Sequence, residues 1–138
     1  MIEKKIIFMV VMFFLMVAVT NAQSKKTIRE KGISSITVNE YFIEEGMDEP
    51  VVESIQRFND EGELLELKEF NKKEEVKRWE KYLYNDDGKV VEQIFLDEKG
   101  RIIETEKYIY DDKLRIEKQY YNKKGNLYKK KVYKYEYR

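Results

Sequence analysis

The sequence predicts an all-β protein, an antiparallel meander of about eight strands in which hairpin repeats build one open, twisted sheet. First, "FNDEGELLE", "YNDDGKVVE" and "LDEKGRIIE" begin at positions 58, 84 and 96 and share an Asx residue, a Gly and an aliphatic pair. Second, the segments between these phrases are short, rich in Val, Ile and Tyr, and free of Pro, as strands are. Third, Tyr133, Tyr135 and Tyr137 alternate with polar residues, and this period of two disfavours a helix.

Each repeated phrase predicts a hairpin turn. An Asx side chain such as that of Asn85 hydrogen-bonds the backbone two residues on, and Gly88 or Gly100 supplies the positive φ that closes the loop. We expect Gly88→Val and Gly100→Val to destabilise the fold, because a β-branched residue is strained at positive φ. Glu74 occupies the corresponding place in a turn without Gly, and we expect it to tolerate substitution.

The turns recur in pairs from Phe58 onward, which gives three units of about 26 residues over 58–138. Upstream, "ISSITVNEYFI" at 33–43 and "VVESIQRF" at 51–58 predict two more strands, joined by an irregular loop. Since no Pro/Gly/Ser-rich linker interrupts it, residues 23–138 form a single predicted β-repeat domain. A rolled-up or barrel-like sheet is the alternative to the open one.

The first 22 residues are expected to be a signal peptide. A short charged segment, "MIEKK", precedes the uncharged run "IIFMVVMFFLMVAV", which is shorter than the roughly 20 residues that span a bilayer. Small residues in "TNA" place the cleavage after Ala22, so the mature chain is secreted or periplasmic and has no stable membrane span. An uncleaved N-terminal anchor is the alternative.

The composition argues against the common catalytic and metal sites. The chain contains no Cys and no His, so thiol, imidazole and ordinary zinc chemistry are excluded. The pairs Asp86–Asp87 and Asp111–Asp112 do not follow the spacing of a calcium loop. Acidic residues are so frequent that a carboxylate pair suited to glycoside hydrolysis arises by chance. We therefore expect no enzyme activity, cofactor or metal.

Aromatic and basic residues supply the candidate binding surface. Exposed rings on a sheet stack on sugars or contact proteins, because they lose little rotamer freedom on binding. The candidates are Trp79, Tyr82, Tyr84, Tyr108, Tyr110, Lys129, Lys131, Tyr133, Tyr135 and Tyr137. Alternation puts Trp79 and Phe95 on the side opposite the tyrosines. The same tyrosines at repeat-equivalent positions also fit a purely structural role as cross-strand pairs.

Charge is balanced overall but separated along the chain. Residues 39–69 hold eleven acidic residues against Arg57 and Lys68, whereas residues 118–138 hold eight basic residues against Glu136. A meander places these segments at opposite edges, so the basic edge suits an unknown protein or an anionic envelope polymer, and complementary ends suit homo-oligomers. Nucleic acid is a poor partner for an exported chain of zero net charge. Protection of the edges against aggregation is the alternative.

A family resemblance rests on "YNDDGKVVE" at 84–92, "YIYDDKLR" at 108–115 and "YYNKKGNL" at 120–127. These segments resemble the module of YD-type (RHS-like) repeats. With its signal peptide ending in "NAQ", the chain is similar to small secreted Bacteroidetes proteins of unknown function that carry such modules. The resemblance implies a hairpin-repeat fold and export, and it implies no activity.

The sequence thus predicts an exported, non-enzymatic β-repeat protein that acts as an interaction or structural module in the periplasm or at the cell surface. A carbohydrate-binding accessory protein or small hydrolase is one alternative. An immunity or antitoxin-like factor is another, because short Tyr/Gly β-repeats also occur in such proteins.

Overall fold

The computed structural model describes residues 25–46 and 48–138. The predicted signal peptide and its cleavage after Ala22 lie outside these residues. The strands are β1 (Ser35–Glu40), β2 (Val51–Phe58), β3 (Leu64–Phe70), β4 (Val76–Tyr84), β5 (Val90–Leu96), β6 (Ile102–Asp111), β7 (Leu114–Asn122) and β8 (Leu127–Val132). A helix covers residues 25–30, and a short 3-10 helix covers Ile43–Glu45. The first predicted strand is shorter than expected, since it ends at Glu40 before that 3-10 helix.

The strands form one open sheet in chain order, from β1 to β8. Neighbouring strands run antiparallel, as a meander requires. The predicted all-β meander of eight strands is therefore confirmed, and the rolled-up alternative is wrong. Because the sheet does not close, β1 and β8 are edge strands with one free side each.

The chain groups into two compact units. The smaller unit comprises the described residues up to Ser34 together with Phe58–Glu63, and the larger comprises Ser35–Arg57 and Leu64–Arg138. In the smaller unit, Ile28 is only 4% exposed and Lys25 forms a 3.1 Å ion pair with Glu63. We did not predict the helix at 25–30, which is too short to show an apolar period.

Five of the predicted Asx turns share one geometry, whereas the turn predicted at Asp111 is tighter, since Asp111 pairs directly with Leu114. In the turn at 85–89, the Asn85 N–H donates to the Lys89 carbonyl, and the Asn85 Oδ1 accepts hydrogen bonds from the backbone N–H groups of Asp87 and Lys89. Gly88 closes that turn at a φ of 73°. The turns at 59–63, 71–75, 97–101 and 122–126 repeat the pattern. We expected Glu74 to tolerate substitution, but it adopts the same conformation at a φ of 62°, so a β-branched replacement is expected to be strained there as well.

Three glycines offer a graded test of the turns. A Cβ at Gly62 would lie 2.5 Å from the Lys25 carbonyl oxygen, and one at Gly100 would lie 3.2 Å from the Trp79 ring. At Gly125 a Cβ would have nothing within 4 Å. We expect Gly125→Ala to cost about 1 kcal/mol through positive φ alone, and Gly62→Ala roughly 1–3 kcal/mol more through the backbone clash. Gly100→Ala should fall between them in thermal melts, and equal effects at all three sites would contradict the packing at Gly62.

The two faces of the larger unit differ in burial. Register pairing puts Leu67 opposite Glu80, and Glu106 opposite Tyr120, all on the face that also carries Tyr82 and is here called the tyrosine face. Leu67, Glu80, Glu106 and Tyr120 are each less than 10% exposed. Phe95 pairs with Glu80 and so belongs to this face, which corrects our assignment. A bulge beside each turn adds one residue to a strand. The side chains beyond the bulge therefore point to the face opposite to the one that simple alternation along the sequence predicts.

Candidate functional site

Three of the predicted tyrosines stabilise the hairpins through hydrogen bonds from their hydroxyls to backbone carbonyls. The hydroxyl of Tyr84 donates to the Leu64 carbonyl at 2.7 Å. Tyr110 donates to the Val90 carbonyl at 2.8 Å, and Tyr135 donates to the Arg115 carbonyl at 2.5 Å. Each bond connects a residue at the end of a hairpin, or just beyond β8 in the case of Tyr135, to the start of the first strand of that hairpin, 20 residues earlier. These hydroxyls therefore serve the sheet itself, in line with the structural reading of the tyrosine series.

A buried carboxylate organises the tyrosine face at β4. Glu80 is 4% exposed and accepts hydrogen bonds from Arg78 Nε at 2.6 Å and from Arg78 Nη2 at 3.1 Å. The Tyr82 hydroxyl also donates to Glu80, and Gln93 Nε2 donates to it at 3.0 Å from β5. A buried carboxylate with this many donors is stabilised as an anion.

The next hairpin repeats this arrangement 26 residues later. Glu106 is 8% exposed and accepts from the Tyr108 hydroxyl at 2.5 Å and from Lys118 Nζ at 2.7 Å. The Tyr108 oxygen also lies 3.1 Å from Gln93 Oε1, so Gln93 contacts both clusters. The two carboxylates and their partners thus form a continuous polar network across β4 to β7.

Tyr120, on β7, extends this network toward β8, because lysine ammonium groups from both strands lie close to its ring. The ring is 5% exposed. Lys129 Nζ lies 4.0 Å from the ring centroid, Lys118 Nζ lies 4.7 Å away and Lys131 Nζ lies 5.9 Å away. A cation over an aromatic face is attracted by the ring quadrupole. The predicted binding residues Lys129 and Lys131 therefore pack on the molecule's own tyrosine.

The network shifts the ionisation of its members. Burial, together with the hydrogen bond and charge of Glu106, raises the pKa of Tyr108 to about 12. Tyr82 shows the same direction for the same reasons, since burial and Glu80 raise its pKa strongly. Burial alone would raise the pKa of Glu80, but hydrogen bonds from Arg78 and Tyr82 outweigh it and lower that pKa. The network therefore favours neutral phenols at Tyr82 and Tyr108 and an ionised carboxylate at Glu80.

An alkaline titration tests this arrangement. A tyrosine whose pKa is raised in the folded state stabilises the fold fully below the ordinary value of 10.0, and that contribution is lost as pH rises toward about 12. We expect the tyrosinate absorbance of the native protein to rise in two phases, with Tyr82 and Tyr108 ionising last. Tyr108→Phe should remove part of the late phase. A single phase near 10 in the native protein would contradict the network.

Trp79 lies on the opposite face and is not brought together with the tyrosines. Its indole N–H donates to Glu66 at 2.6 Å, and Lys68 Nζ lies 4.0 Å from the ring centroid. The ring also packs against Gly100. A shallow groove of about 320 Å³ at this place is lined by Ile55, Arg57, Glu66, Lys68, Trp79 and Lys81. Because Lys68 already lies over one side of the ring, a sugar that stacks on that side would have to displace it.

The free edge at β8 is the most accessible part of the predicted surface. All six residues of β8 are exposed, and Lys129, Lys130 and Lys131 follow one another in it. Beyond β8, the Tyr133 N–H donates to the Ile116 carbonyl at 3.0 Å, and Tyr137 is 83% exposed. The predicted site thus falls into two parts. The tyrosine hydroxyls and the Trp79 ring contact other groups of the protein, whereas the basic β8 edge is exposed to solvent.

The residues that we missed are Glu80, Glu106, Lys118 and Tyr120. A signal for the first two exists in the sequence, because "EKYLY" at 80–84 recurs as "EKYIY" at 106–110. The motif places a Glu two residues before a Tyr, which is the spacing of neighbours on one face of a strand. In the third unit "KVYKY" at 131–135 replaces it, with Lys131 in the place of the glutamate.

Within residues 25–46 and 48–138, no group of three or more acidic side chains is placed to hold a metal ion. No helix in this described part is both long and apolar enough to cross a membrane. No protein-family model matches the chain, and no curated protein matches it.

Proposed function

We propose that this protein is an exported, non-enzymatic interaction module that binds a polypeptide by strand addition at the free edge of β8. The observation that carries the proposal is the basic β8 edge itself. It is the last strand of an open sheet, its six residues are all exposed, and three of them are consecutive lysines. Extended peptides bind such edges through main-chain hydrogen bonds, and side chains supply the specificity.

The backbone groups that would receive the partner follow from the register. Tyr133 donates to Ile116, and the β7–β8 pairing places Lys131 opposite Lys118 and Lys129 opposite Tyr120. Hydrogen-bonded and non-hydrogen-bonded pairs alternate in an antiparallel ladder, so Lys130 and Val132 direct their N–H and C=O groups away from β7. These two residues would form the new ladder.

The charge of this edge indicates the chemistry of the partner. Residues 127–138 contain five basic residues and one acidic residue, Glu136. An acidic segment is therefore the complementary partner, and the charges would speed its encounter more than they add affinity. A segment that is both acidic and extended satisfies the charges and the backbone groups together.

The polar clusters support a non-enzymatic role. Glu80 and Glu106, the buried carboxylates of the tyrosine face, accept hydrogen bonds from their own neighbours Arg78 and Lys118. Lys68 lies over Trp79, the residue that a carbohydrate-binding reading would use. The edge of β8 accordingly supports the proposal better than either face.

Val132 offers a matched test of strand addition. It is 59% exposed, and Val132→Pro removes an N–H from the free edge without removing one from the β7–β8 ladder. We expect capture of envelope polypeptides by the immobilised protein to fall about tenfold or more, because the lost hydrogen bond and the ring clash together exceed about 1.4 kcal/mol. Val132→Thr keeps the N–H and should retain capture.

Circular dichroism melts of both variants show whether the sheet is intact. If Val132→Pro captures the same polypeptides as the wild type, strand addition at this edge is wrong. Retention of the wild type and Val132→Pro alike on polyphosphate beads, with no polypeptide captured, would instead indicate docking on an anionic polymer.

A further inference from the structure

We propose that the polypeptide bound at β8 is β1 of a second copy of this chain, so that molecules join head to tail into a continued sheet. This inference rests on the proposed function of the β8 edge and names its partner. The two edge strands are the same length, since β1 (Ser35–Glu40) and β8 (Leu127–Val132) both have six residues. They stand at opposite ends of the strand order.

The meander itself provides the place for the second copy. Each strand pairs with the next one in the chain, so the free side of β8 is where a ninth strand would pair, and the free side of β1 is where a preceding strand would pair. An antiparallel β8–β1 contact between copies continues this order without a change of pairing type.

The backbone groups on β1 match those on β8. The Phe58 N–H donates to the Ser34 carbonyl at 2.9 Å, and the β1–β2 register places Ile36 opposite Gln56. By the alternation of the ladder, Ser35 and Thr37 direct their N–H and C=O groups away from β2. Each edge thus offers two residues spaced two apart, which is the spacing that an antiparallel ladder pairs.

Charge separates the two edges and fixes the direction. Residues 35–49, which comprise β1 and the segment that follows it, hold five acidic residues and no basic one, whereas residues 127–138 hold five basic residues against Glu136. Antiparallel pairing brings the end of β1, with Glu40 and the exposed acidic residues Glu44, Glu45, Asp48 and Glu49, beside the start of β8. The turn before β8 carries Lys123 and Lys124, both exposed. Opposite charges therefore meet at this end of the contact, where they favour the correct register.

Two different edges of the same chain meet in this contact, so the interface is heterologous. A heterologous contact leaves one unused edge on each terminal molecule, and it produces open-ended assemblies unless the rotation closes a ring. The size of the assembly should therefore grow with protein concentration.

Complementary edge variants test this directly by sedimentation velocity of the purified protein. Thr37→Pro blocks the free edge of β1 and leaves β8, whereas Val132→Pro blocks β8 and leaves β1. We expect the wild type to form a concentration-dependent series of oligomers and each variant alone to remain monomeric. An equimolar mixture of the two variants should form dimers and nothing larger, because only one competent contact exists between them. Thr37→Ser and Val132→Thr, which keep the N–H groups, should assemble like the wild type.

Charge variants provide the second arm of the test. Lys123→Glu with Lys124→Glu should weaken assembly about tenfold, and about 1 M salt, with a screening length of ~3 Å, should weaken the wild type in the same direction. Assembly of Thr37→Pro alone would show that β8 pairs with β8 and would overturn the proposal. A wild type that stays monomeric, yet captures envelope polypeptides in a Val132-dependent way, would overturn self-assembly and leave the proposed function standing.

Discussion

Replacement of Tyr120 with Ala is expected to destabilise the protein by about 3–4 kcal/mol, the range for removing a large buried aromatic side chain. Tyr120 is 5% exposed, and the described core contains few other buried apolar side chains, namely Ile28 and Leu67. The ring also separates the ammonium groups of Lys118, Lys129 and Lys131, which all lie within 6 Å of its centroid. Without the ring these cations lose their attraction to it and repel one another.

Two controls separate the ring from other effects. Tyr120→Phe keeps the aromatic face and should retain most of the stability. Tyr137→Ala removes a tyrosine that is 83% exposed and should change the free energy of unfolding by less than about 0.5 kcal/mol. Urea unfolding measures all three variants. Equal midpoints for Tyr120→Ala and Tyr137→Ala would show that Tyr120 does not anchor the sheet.

Replacement of Glu80 with Ala is expected to cost on the order of 2–3 kcal/mol, because hydrogen bonds to a buried charged group contribute more than neutral ones. The loss leaves the Tyr82 hydroxyl, Arg78 and Gln93 without the acceptor that they share. We place the cost below that of a fully buried ion pair because the Arg78 side chain is 47% exposed, so water replaces part of its interaction. Glu98→Ala, at an exposed turn, is the control.

The pH dependence of the free energy of unfolding gives a second measurement of the Glu80 contribution. The folded-state pKa of Glu80 lies below the ordinary value of 4.5, so its stabilisation is present above that value and is lost as pH falls through the lower folded pKa. Glu80→Gln removes the titration and should make the acid branch of the stability curve shallower. An acid branch identical to that of the wild type would mean that Glu80 does not contribute to it.

The turns were predictable because their chemistry is local. Asn85, Asp97 and Asn122 each bond backbone groups within four residues, and such a pattern is visible in any window of the sequence. Glu74 shows where this reasoning fails. The neighbouring strands impose the same positive φ on it that the glycines adopt elsewhere, so the geometry of the hairpin overrides the preference of the residue.

The candidate site was harder to predict because it depends on register between strands. Phe95 was assigned to the wrong face, since a bulge beside each turn changes the count by one residue and the sequence does not mark its position. The burial of Glu80 and Glu106 was also unexpected, because an acidic residue in a strand ordinarily indicates a solvated position. Only the recurrence of the Glu-Lys-Tyr order points to a shared role for both.

The position of each tyrosine bond has a consequence for how the sheet comes apart. The bonds from Tyr84, Tyr110 and Tyr135 each close a loop within one hairpin, whereas Gln93 and Lys118 connect one hairpin to the next. Most contacts in this layer join neighbouring strands, although Tyr128 on β8 also donates to Glu104 on β6, so stability is close to a sum of unit terms and junction terms, as in other linear repeat proteins. The β6–β7 junction has a longer register than the β7–β8 pairing, eight residue pairs against five, so the sheet should open first at β8 before its interior melts. Since each tyrosine bond closes within one two-strand unit, lengthening or shortening such a protein by a whole unit keeps these bonds, whereas removal of a single strand breaks one of them.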